Sequence, residues 1–107
     1  MKTDQIAAAP PSPWIPETNP VRCAVLGKSV KELSELAGIV GRCQIQGIEG
    51  CEPVSGVTNL ASLEDEIADV EALIEHLKIE FRLSHVRIRL RRQRKFDYLN
   101  AWLDMLR

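Results

Sequence analysis

Four carboxylates, arranged as two pairs, are the residues of this 107-residue chain best placed to do chemistry: Glu32 with Glu35, and Glu66 with Asp69. Each pair is three residues apart. On a helix, positions i and i+3 are neighbours on one face, so each pair can aim two carboxylates in one direction. If two such helices pack with those faces together, four carboxylates converge. Their mutual repulsion in a partly buried site is costly unless a cation neutralises it. Hard oxygen ligands at this density suit Mg2+, with Mn2+ as a substitute, better than zinc. Spacing alone leaves a second reading open, because ExxE occurs often in helices by chance: ordinary solvated acids on amphipathic helices.

The elements that must position these acids are helical. Aromatic residues make up 5% of the chain and apolar residues 45%, so aliphatic side chains supply the core, which suits packed helices better than a β-sandwich. Asn19-Pro20 is a helix start, with Asn able to cap and Pro at the first helical position. The first predicted helix runs to about Gln46, with Leu26, Val30, Leu33, Ala37 and Val40 on one face and Gly47 as a stop signal. Residues 48–58 read as a loop, rich in Gly, Pro and polar residues. The second helix is predicted over about Leu60–Arg82, capped by Asn59 or Ser62, with the stripe Leu63, Ile67, Val70, Ile74, Leu77 and Phe81. On this wheel Glu66 and Asp69 lie at the edge of the stripe, beside Leu73. Ser84 caps a third helix over about His85–Met105, whose second half carries the seam Phe96, Leu99, Leu103 and Leu106. The expected architecture is all-α: about three helices over residues 20–107, completed into a larger bundle by self-association, behind an extended proline-rich arm at residues 1–19. Trp14 and Ile15 either anchor that arm or belong to a mobile tail.

The segments Lys31-Glu-Leu-Ser-Glu-Leu-Ala37 and Leu63-Glu-Asp-Glu-Ile-Ala-Asp-Val70 shift the weight toward the metal reading. They resemble the ExxE…ExxD signature of the all-α nucleoside triphosphate pyrophosphohydrolases, the superfamily of MazG and the dimeric dUTPases, and are most similar to small MazG-like proteins. The resemblance spans about Leu26 to Leu99. It implies Mg2+-dependent hydrolysis of (deoxy)nucleoside triphosphates to the monophosphate and pyrophosphate. It also implies that Glu32, Glu35, Glu66 and Asp69 are metal ligands, with Glu32 or Glu35 activating the attacking water. Lys95 matches a family lysine on the third helix, whereas Tyr98 stands where the family tends to have arginine. Lys95 is therefore the first candidate for a phosphate contact, and Tyr98 offers a hydroxyl or a stacking face. Lys28 either reaches a phosphate or pairs with Glu32 one turn on. The gap between the motifs is long for the family, so the loop either covers the nucleotide or merely connects.

Charge and composition bound the alternatives. The net charge of −1 argues against a general nucleic-acid binder, and nucleic acid is not an expected partner. That neutrality hides an acidic stretch from Glu49 to Glu80 followed by a basic one from Arg82 to Lys95, which can pair internally or bind a cation and a polyanion side by side. Cys23, Cys43 and Cys51 lack CxxC spacing and are expected as buried free thiols in a reducing cytosol. No apolar run approaches the ~20 residues of a membrane span, and the N-terminus lacks a signal-peptide core, so a cytoplasmic protein is expected. The expected partners are a nucleoside triphosphate and further copies of the chain, as homodimer or homotetramer. The competing function is a non-catalytic, self-associating helical module whose basic helix binds a partner or nucleic acid.

Overall fold

The computed structural model describes residues 13–107, and the arm's residues 1–12 lie outside that range. Three helices follow one another: α1 (Pro20–Gln46), α2 (Asn59–Glu80) and α3 (His85–Leu106). Each begins where a side chain relieves the unpaired amides of a first turn. Asn19 Oδ1 accepts from the N–H groups of Val21 and Arg22 at 3.0 Å. Thr58 Oγ1 accepts from Ala61 N–H at 3.1 Å, so Thr58, not Asn59 or Ser62, caps α2. Ser84 Oγ accepts from Arg87 N–H at 3.1 Å. α1 stops at Gly47, whose φ of +93° suits glycine. α2 closes through Leu83 N–H donating to the Lys78 carbonyl at 3.0 Å, with Arg82 in the left-handed region at φ +50°.

The connection from α1 to α2 is a tight hairpin. Glu52 N–H donates to the Val57 carbonyl at 2.8 Å, and Cys51 and Thr58 form a single antiparallel bridge. The Glu52 carboxylate accepts from the amides of Val54 and Ser55, and those bonds hold its pKa below the ordinary value. The loop is also held at its base, where Asn59 N–H donates to the Gly50 carbonyl at 2.9 Å.

α1 and α2 pack antiparallel, and Ile39, Val70, Leu73 and Ser29 are buried between them. Arg22 over the Phe81 ring (5.9 Å) marks one end, and Arg42 against Ser62 (3.3 Å) the other. The helix faces differ from those expected from periodicity. On α1 the expected stripe stays exposed, with Leu26, Val30, Leu33 and Val40 all open to solvent, and the buried face is turned about 100° from it. On α2 the buried face is turned about 50°, toward Leu73, so Ile67 and Ile74 remain exposed. Both helices carry two apolar flanks. The flank containing small Ser29 and the polar pairing of Arg42 with Asn59 is the one that meets its neighbour.

α3 leaves this pair and makes hardly any contact with it. The radius of gyration is 17.9 Å, against about 13 Å for a compact globule of this length. Val86, Leu90, Phe96, Leu99, Trp102 and Met105 on α3 are exposed. Trp14 (99% exposed) and Ile15 (82%) do not anchor the arm on their own chain. The three thiols are free but not buried: Cys23 and Cys51 are exposed and Cys43 is half-buried. No described helix is long and apolar enough to cross a membrane.

Candidate metal centre

The rotation of the helix faces sets the acid site. Because α2 buries the Leu73 side, Glu66 moves from the expected edge of the stripe into the interhelical interface. The antiparallel register then places Glu32 and Glu35 opposite it. One carboxylate oxygen from each of Glu32, Glu35 and Glu66 lies within 4.8 Å of the others. Asp69 belongs to the next edge of α2; it is exposed and outside this trio, but its charge acts on Glu66.

The trio is poorly satisfied by protein. Oε2 of Glu32 and Oε2 of Glu66 are both buried and accept no hydrogen bond. A buried carboxylate oxygen without a donor loses its hydration with nothing in exchange. Burial pushes the Glu66 carboxyl above its ordinary pKa, and the negative charges of Glu35, Asp69, Glu32 and Asp65 push it further. The compensation from nearby cations is partial and peripheral. Lys28 Nζ reaches the other oxygen of Glu32 at 3.4 Å, and Lys31 Nζ stands 4.0 Å from Glu35, both lysines lying toward solvent. Three clustered carboxylates, two of which each keep a buried oxygen without a donor, are a donor set that suits a hard divalent cation, so these residues fit Mg2+ or Mn2+. Glu35 is the open member, with its side chain 40% exposed against 15% for Glu32.

The other expected site residues divide. Lys28 is at the trio, in the ion pair with Glu32. Lys95 and Tyr98 sit together on α3, the ammonium 5.2 Å from the ring centre, and Lys95 lines an open groove between α2 and α3 that no residue of the trio lines. A residue that escaped sequence reasoning is Arg42. Its Nε donates to Asn59 Oδ1 at 3.0 Å and its Nη2 to Ser62 at 3.3 Å. Asn59 is fully buried, and its amide also donates to the Gly47 carbonyl at 3.0 Å. Asn59 therefore neither caps a helix nor faces a ligand; it locks the α1–α2 register that brings Glu66 to Glu32. An arginine one helical turn from a glycine stop and an asparagine at the next helix start were the available signals, but nothing in the sequence pairs them. No protein-family profile, curated protein or solved structure matches the chain.

Proposed function

We propose that the chain is a Mg2+-dependent pyrophosphohydrolase of (deoxy)nucleoside triphosphates, of the MazG-like kind its motifs resemble. The observation that carries this reading is the trio Glu32, Glu35 and Glu66 from two helices, with two buried oxygens left without donors. Glu32 and Glu66 would hold the cation, with Asp69 adding negative charge from the edge. A bound Mg2+ supplies charge neutralisation on the phosphate oxygens. Glu35, open to solvent, orients a water and takes its proton as the oxygen bonds to the α-phosphorus. The α–β anhydride bond breaks, and pyrophosphate leaves with that electron pair. Lys28 at the rim contacts the phosphates, and Lys95 and Tyr98, which lie away from the trio of their own chain, reach them only where self-association brings α3 of another copy to it. Self-association as a dimer or tetramer covers the apolar flanks that α1, α2 and α3 leave open.

The experiment is pyrophosphate release from a panel of canonical and modified nucleoside triphosphates, with Mg2+ and with chelator, for the wild type and Glu66→Gln. Metal-dependent release that vanishes in the variant is expected. A folded protein that releases nothing from any nucleotide turns the reading to the second one, a non-catalytic self-associating module. The separation of α3 from its own helix pair is the observation that favours that alternative, and it requires function to survive Glu66→Gln.

A further inference from the structure

The groove between α2 and α3 is a different place from the acid trio, and its charge is opposite. Its walls carry Lys78, Arg87, Arg89, Arg91, Arg92 and Lys95 against two carboxylates, Glu71 and Glu75. Lys78 is already committed to Glu75 at 3.2 Å. The acidic helix α2 was the natural internal partner for the basic run, yet no ion pair among the described residues involves any arginine of α3. Four arginines and Lys95 thus face one unpaired carboxylate, Glu71. Nothing in the helix pair requires this concentration, since α3 hardly touches it.

The lining is not only charged. Ile74, Leu83 and Ile88 give the groove an apolar floor. One turn beyond Lys95, the Tyr98 ring is 62% exposed, and Trp102 lies one further turn along the same flank of α3 and is also exposed. A cationic track with an apolar floor, followed beyond its lining by a Tyr98 ring that carries Lys95 over one face and by the exposed Trp102, matches single-stranded nucleic acid, whose phosphates follow the charges and whose bases stack on rings and guanidinium planes. Free phosphate or a triphosphate needs neither the length of the track nor the floor. A duplex keeps its bases stacked inside and has no use for exposed Tyr98 and Trp102.

We propose that the α2–α3 groove binds single-stranded nucleic acid. This activity is separate from nucleotide hydrolysis, and it revises the expectation drawn from net charge alone: most of the acidic residues that balance the sum lie outside the groove, whose own lining is basic.

The test is fluorescence anisotropy of a labelled oligothymidylate and a labelled oligouridylate with the full chain, in chelator and without nucleotide, so that the result is independent of the acid trio. With about four phosphates neutralised, the salt slope is near −2.8, and affinity falls roughly fiftyfold between about 50 and about 200 mM salt. The double variant Arg91→Gln/Arg92→Gln flattens that slope by about 1.4 while pyrophosphate release stays unchanged. Tyr98→Leu weakens binding about fivefold or more by removing a stacking face. Glu71→Gln strengthens binding, a gain that misfolding cannot produce. No binding at low salt, an unchanged slope in the double variant, or tighter binding of a duplex of the same sequence length overturns the proposal.

Discussion

Removing the Asn59 side chain tests the lock that sets the site. In Asn59→Ala, Arg42 Nε loses its 3.0 Å acceptor and the Gly47 carbonyl loses its 3.0 Å donor; a longer contact to Gln46 Oε1, 3.4 Å, goes as well. A hydrogen bond to a charged group contributes about 1.5–3 kcal/mol and a neutral one about 1 kcal/mol. Asn59 is fully buried, so water cannot replace it without a cavity. Arg42 is half-buried and keeps Ser62, which recovers part of the loss. The net expected cost is about 3 kcal/mol. Urea unfolding followed by circular dichroism reads this as a midpoint lowered by roughly 1.5 M, at an m-value near 2 kcal/mol/M. Ser62→Ala is the internal comparison, because it removes only the 3.3 Å bond and is expected to cost under about 1 kcal/mol. The same Asn59 variant is expected to bind Mg2+ more weakly, since the register that opposes Glu66 to Glu32 loosens. A midpoint shift below about 0.5 M, or no difference between the two variants, refutes the argument that this asparagine holds the helix pair.

Other outcomes follow from particular residues. The Glu66 carboxyl is raised by burial and by neighbouring charge, so the stability it contributes is complete below the ordinary carboxylate pKa and is lost as pH rises through the raised one. Melting temperatures in chelator should show the wild type losing ground to Glu66→Gln as pH rises across that window, with Mg2+ restoring it. In Gly50→Ala the new Cβ meets the Gln46 carbonyl at 3.0 Å and Asn59 Nδ2 at 3.2 Å, so the hairpin base must shift, at a cost of about 1–2 kcal/mol in the same urea assay. Arg82→Gly relieves a left-handed residue at φ +50° and is expected to stabilise by roughly 0.5–1 kcal/mol, measured by thermal unfolding.

The helices were legible because their signals are local. Asn19-Pro20 and Ser84 mark helix starts through hydrogen bonds to residues close by, Gly47 marks an end through its own backbone angle, and the structure uses each of them. The cap of α2 was misplaced by one residue because Asn59, a strong cap by type, is spent in a long-range pairing with Arg42 that no local pattern shows. The meeting faces were misread for a related reason. Periodicity identifies apolar flanks but does not choose between two of them, and α1 and α2 each have a second flank containing Ser29 or Leu73. The acid pairs were visible in their spacing, but i and i+3 differ by about 60° around a helix, so Glu66 enters the interface while Asp69 stays on the exposed edge and three of the four expected acids converge. That Glu32 and Glu66 each keep an oxygen without a donor depends on burial, and the separation of α3 depends on missing contacts; neither is written in spacing.

That separation bears on how the chain is ordered at all. A helix of 22 residues with hardly any tertiary contact stands near the limit at which an isolated helix persists in water. Arg87 with Arg91, and Arg91 with Lys95, are like charges four residues apart, which weaken a free helix. Under the proposed self-association or groove occupancy, the order of α3 would be reinforced from outside the helix pair, by what covers its apolar side or neutralises its basic one. Helix content becomes a reporter of occupancy: dilution or high salt should melt the last third of the signal while the α1–α2 hairpin, held by its own buried interface, stays folded.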